Sequence, residues 1–100
     1  MQDIYIVGVG MTPFGRHLDR SLRDLAADAT RRALADAGLA QAELQSAVFA
    51  NSVQGHAEGQ HSIRGEIALR SMGIGGIPVI NVENACASAA TALNVAVSQL

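Results

Sequence analysis

The sequence predicts an α/β fold in which strands and helices alternate as β-α-β-α-β-α, the first part of a mixed sheet layered with helices. Three observations predict it. Short apolar, β-rich runs recur at residues 4–9, 47–50 and 79–82; stretches with helical character lie between and after them; glycine or proline punctuates the junctions. Alternation of this kind favours a parallel sheet with right-handed crossovers.

The first run, Ile4, Tyr5, Ile6, Val7 and Val9, is broken by Gly8 and Gly10 and reads as a buried strand. Met11-Thr12-Pro13-Phe14-Gly15 is turn chemistry. From Ser21 the period becomes helical, with Leu22, Leu25, Ala26, Ala29, Ala33 and Ala37 on one stripe and Arg23, Asp24, Asp28, Arg31 and Arg32 elsewhere. Ser21 with Asp24 forms a capping-box pattern, and Gly38 suits the residue just past the helix end. Residues 47–50 read as a second strand running into a polar loop over 51–60. A shorter helix is expected over 62–72, closed by Gly73. The turn Ile74-Gly75-Gly76-Ile77-Pro78 leads into a third strand at 79–82. Residues 86–100 are alanine-rich and free of Gly and Pro, which suits a closely packed helix that reaches the last residue without a stop signal. The chain therefore reads as cut off within a domain.

Composition narrows the function classes. One hundred residues suffice for one small domain, and 49% of them are apolar. Net charge is −2, and the positive charges, all Arg, alternate with acids instead of forming a block, which argues against a nucleic-acid surface. A single Cys allows no internal disulfide and fits a reducing, cytoplasmic location. No apolar run is long enough to predict a membrane span.

The most pointed local feature is Asn81-Val82-Glu83-Asn84-Ala85-Cys86-Ala87-Ser88-Ala89-Ala90. It places Cys86 where a strand ends and a helix begins, so helix N–H groups can favour thiolate and hold a developing oxyanion. Local chemistry leaves a second reading open, since free Cys is often simply a small buried hydrophobe.

Three segments, in order, resemble the thiolase superfamily. Ile6-Val7-Gly8-Val9-Gly10-Met11-Thr12-Pro13-Phe14-Gly15 is similar to its opening strand and turn. Asn51-Ser52-Val53-Gln54-Gly55 with Gly59-Gln60-His61-Ser62-Ile63-Arg64 is similar to its second strand, loop and next helix start. Val82–Ala89 is similar to its nucleophile segment. The likeness is to acetyl-CoA acetyltransferases and closest to the sterol-carrier-protein-linked thiolases.

The resemblance implies a thiolase-like fold, with residues 1–100 as the N-terminal part of the thiolase N-terminal domain. It implies that Cys86 is the catalytic residue of an acyl-CoA acyltransferase: the thiol takes the acyl group from acyl-CoA as an S-acyl enzyme, for thiolysis or Claisen condensation. It further implies acyl-CoA and CoA as substrates, no other cofactor, no metal, and a homodimer or homotetramer. The base and second Cys of thiolases belong to later segments, so the isolated 100 residues are expected to be inactive. Many members carry Gly three residues after the nucleophile, where this chain has Ala89. That departure, with the absence of the downstream base, supports an alternative: a non-catalytic thiolase-like subunit that binds acyl groups or scaffolds a partner. A neighbouring alternative keeps the fold and the Cys in a condensing enzyme of ketoacyl-synthase type, although the opening Val7–Gly15 segment favours the thiolase side.

Weaker signals resolve towards structural roles. Gly8-Val9-Gly10 fails the dinucleotide fingerprint because Pro13 stands where its third Gly belongs. His56, Glu58 and His61 share a loop without the partners a metal set needs. Arg64 reads either as an anion or intersubunit contact or as a solvated or ion-paired helix residue.

Overall fold

The computed structural model describes residues 2–100. Its regular elements are α1 (Leu22–Ala37), β1 (Ala47–Ala50), α2 (Gln54–Glu58), α3 (Arg64–Arg70), β2 (Val79–Val82) and α4 (Ser88–Ser98), with single 3₁₀ turns at Gln41–Glu43 and Ala85–Ala87. This is the mixed α/β class expected from the sequence.

α1 begins and ends on the residues that the sequence marks. The Ser21 hydroxyl accepts from the Asp24 N–H, the Asp24 carboxylate accepts from the Ser21 N–H at 3.0 Å, and Gly38 closes the helix at φ 70°. A positive φ costs glycine nothing and other residues a Cβ clash.

β1 and β2 pair in parallel, with Ala47 opposite Val79 and Phe49 opposite Asn81. α3 lies over Phe49 and Asn81 at a point where only glycine fits. A Cβ on Gly65 would stand 2.6 Å from Phe49 Cβ and 2.8 Å from Asn81 Oδ1. Asn81 also caps α3 from another element: its Oδ1 accepts from the Gly65 N–H at 2.7 Å, while its Nδ2 donates to Glu66. The residue preceding α3, Ile63, offers no side-chain cap and has φ 46°, a conformation that β-branched residues rarely adopt. α1 packs on α3, and α4 packs on β1. The buried apolar residues Ala27, Ala68, Leu69 and Ile74 cluster around α1 and α3.

One expected element does not form. Residues 4–9 enter no sheet and are not buried; Tyr5, Ile6, Val7 and Val9 are all at least 65% exposed. The described sheet contains only β1 and β2, so this apolar run has no ladder to join. Its glycines lie instead on the small-residue stripe of α1. A Cβ on Gly8 would meet Ala33 O at 2.5 Å and Ala37 Cβ at 2.7 Å, one on Gly10 would collide with the backbone of Ala29 and Ala33, and the Val9 N–H donates to Asp36 Oδ2 at 2.9 Å.

Candidate functional site

Cys86 lies at the strand-to-helix junction, as the sequence places it. β2 ends at Val82, the chain turns through the 3₁₀ turn Ala85–Ala87, and α4 starts at Ser88. Short polar side chains hold this elbow. Glu83 Oε2 accepts from the Ala85 N–H at 2.6 Å, and Ser88 Oγ accepts from the Asn84 N–H at 2.8 Å and donates to Ala85 O at 2.7 Å. Asn84 Nδ2 donates to Thr91 Oγ1 at 3.1 Å, so Asn84 orders the elbow, as its residue type suggests. Ser88 is buried beneath the turn, and Ala85 takes φ 47°, a left-handed conformation costly for a residue with a Cβ.

The environment of the thiol overturns the expected chemistry. Cys86 is exposed, and it lines none of the main clefts of the described surface. Among the described residues no group of three or more His, Cys, Asp or Glu side chains is placed to hold a metal ion. Three amides of the turn are occupied within it: Ala85 N–H by Glu83, Ala87 N–H by Asn84 O, and Ser88 N–H by Ala85 O. Acyl transfer requires a thiol held beside free donors and an acid or base, in a site that shelters the thioester. This elbow supplies the position without that company. The expected S-acyl-enzyme mechanism on Cys86, the thiolase-type acyltransferase activity and the description of Cys86 as an activated nucleophile are therefore corrected for this chain.

The polar residues of the loop after β1 assemble around Arg64. It is the ion-paired helix residue of the two structural readings, not a solvated one: it is 7% exposed, its Nη2 donates to Glu58 Oε2 at 2.5 Å, and its Nη1 donates to Gln60 O. Glu58 reaches further and accepts from the Leu22 N–H at 3.1 Å, an acceptor at the N-terminus of α1. That backbone bond, with Arg64 beside it, holds the Glu58 carboxyl below its ordinary range. Asp28 is lowered likewise by Arg32 and Arg20, and Asp24 by the Ser21 N–H and hydroxyl. The loop itself contains α2, a short helix that its polar, glycine-bearing sequence Gln-Gly-His-Ala-Glu hides.

His56 and His61 stand edge to face with ring centroids 5.2 Å apart. They border a cleft of about 190 Å³ at the carboxyl ends of β1 and β2. His17 is placed elsewhere, its Nε2 2.8 Å from Pro13 O in the turn before α1. No helix among the described residues is long and apolar enough to cross a membrane.

Comparison with known proteins adds family to geometry. The family described as thiolase, N-terminal domain, matches residues 4–100. Sterol carrier protein 2 of Gallus gallus is 37% identical over 92 residues, covering 90% of this chain and 16% of that protein. Sterol carrier protein 2 of Homo sapiens is 36% identical over 96 residues, covering 93% and 17%. Acetyl-CoA acetyltransferase of Methanocaldococcus jannaschii is 37% identical over 97 residues, covering 97% and 24%. The chain thus spans less than a quarter of the length of these relatives.

Proposed function

We propose, from the premise that this chain belongs to the thiolase N-terminal domain family, that it acts as a non-catalytic thiolase-like unit, binding acyl groups or scaffolding a partner. The observation that carries this reading is the contrast at Cys86: the elbow is fully built, yet the thiol is exposed and lines none of the main clefts of the described surface. A family fold retained around a site without its chemistry is suited to binding and assembly.

On this reading acyl-CoA and CoA are ligands, which the printed name of the acetyl-CoA acetyltransferase relative supports. The assembly is a homodimer or homotetramer in a reducing, cytoplasmic setting. The exposed apolar run through Tyr5, Ile6, Val7, Val9, Met11, Phe14 and Leu18 favours an assembling role, because contiguous apolar surface marks interaction sites.

Equilibrium dialysis against acetyl-CoA, together with light scattering, tests the proposal. We expect reversible acetyl-CoA binding without turnover, or a defined oligomer. A monomer that neither binds acetyl-CoA nor associates would contradict it.

A further inference from the structure

The two long helices differ in what they show to water. On α1 the exposed positions include Arg23, Asp24, Arg31, Arg32 and Asp36, the charged face of an ordinary surface helix. α4 has no such face: no Asp, Glu, Lys or Arg occurs from Asn84 to Leu100. Its shielded positions are Ser88, Thr91, Ala92, Val95 and Ala96, and it packs on β1. The opposite stripe, Ala90, Leu93, Val97 and Leu100, is exposed, Leu93 at 56% and Leu100 at 69%. Leu100 continues the last turn, since its N–H donates to Val97 O at 3.1 Å. A helix that is apolar all round is one that other structure covers.

Spacing and charge indicate the cover. The stripe advances by three, four and three residues, the alternation with which one helix packs along another. It also matches itself, being symmetric about position 95. In an antiparallel pair Ala90 faces Leu100 of a second copy and Leu93 faces its Val97, so a smaller side chain meets a larger one at every level. The exposed flanks, Ala89, Asn94 and Ser98, are short and uncharged, so two copies approach without like charges meeting. Antiparallel helices also oppose their dipoles.

We propose that the exposed stripe of α4 is the interface for a second copy of this chain, the two helices running antiparallel about a two-fold axis at the level of residue 95. The contact is isologous: residue 93 of each copy meets residue 97 of the other. This rests on the assembling role proposed above and gives it a surface. Cys86 lies outside the paired span 90–100, so its thiol stays accessible in the dimer.

The test is sedimentation velocity with native mass spectrometry on the full chain and two variants, L93E and V97R. Both substitutions fall at exposed positions, so each variant should keep the wild-type helical circular dichroism. We expect a wild-type dimer, and roughly tenfold or weaker dimerisation of either variant alone, because each carries two unpaired charges into an apolar seam. Mixed in equal amounts, L93E and V97R should form a heterodimer in preference to either homodimer. Only the antiparallel register sets Glu at 93 against Arg at 97 while the other Leu–Val pair stays intact. A dimer that both variants leave intact would overturn the α4 interface alone and leave assembly to the apolar ribbon. Variants that dissociate and form no heterodimer on mixing would overturn the antiparallel pairing and with it the proposal. A monomeric wild type would give the stripe to another occupant, overturning this interface and the assembling role together; acetyl-CoA binding is read separately by dialysis.

Discussion

Residues 4–9 and the two paired strands are written in the same apolar language, yet only the paired strands make a sheet. Val48 and Phe49 find Ile80 and Asn81 across a parallel ladder, and α3 and α4 pack on the result. Ile4, Ile6 and Val7 find no strand, and their neighbours Gly8 and Gly10 rest on the alanines of α1. The difference teaches that β propensity is a capacity to pair, realised only where a partner offers backbone donors and acceptors in register.

Substitutions can break this contrast from either side. The largest effect is expected at Gly65→Ala, because the added methyl would enter the space of Phe49 and Asn81 where α3 meets the sheet. Overpacking of about 3 kcal/mol, offset by about 1 kcal/mol of better helix propensity, should leave a net loss of about 2 kcal/mol in urea unfolding. Asn81→Ala comes next. It strips α3 of the cap supplied by β2 and leaves the Gly65 N–H without its acceptor, and it should cost about 1 kcal/mol in the same assay.

The acid limb of stability should respond to Glu58. A carboxyl lowered by folding adds stability that is present above its unfolded value, about 4.5 for Glu, and is lost as pH falls through the lower folded value. We therefore expect the thermal midpoint to drop on acidification below that range, and the drop to be shallower in Glu58→Gln. Asp24 and Asp28, also lowered, keep part of the slope in that variant.

The smallest global effect is expected at Gly10→Ala. A methyl there collides with α1, so the ribbon should lift away and the Val9 amide, bonded to Asp36, should exchange faster. Because the ribbon's apolar side chains are already exposed, the unfolding free energy should change by no more than about 0.5 kcal/mol, an ordinary surface value. A loss as large as that of Gly65→Ala would show that the two regions are energetically one.

Much of this arrangement is legible in the sequence. α1 could be read to the residue because Ser21, Asp24 and Gly38 write its ends in side-chain and backbone chemistry. The ranges 47–50 and 79–82 are legible as short apolar runs bounded by turn residues, and unlike 4–9 each finds the other as a parallel partner. Signals that act through space were not legible. The cap on α3 comes from Asn81, sixteen residues beyond the amide it serves, and the partner of Glu58 at Leu22 lies thirty-six residues away. The position of Cys86 followed from its neighbours in sequence, but its exposure depends on what folds over it, which no local pattern encodes. Arg64 showed the same divide: its place at a helix start was readable, and its burial against Glu58 was not.

The elbow returns the comparison to function, because there a family-like segment folds in place and still lacks the surroundings its chemistry needs. Intact-mass analysis after incubation with acetyl-CoA, run beside iodoacetamide labelling of the same protein, tests this most directly. We expect iodoacetamide to label the exposed Cys86 completely while acetyl-CoA leaves the mass unchanged. A stoichiometric acetyl thioester on Cys86 would contradict the account.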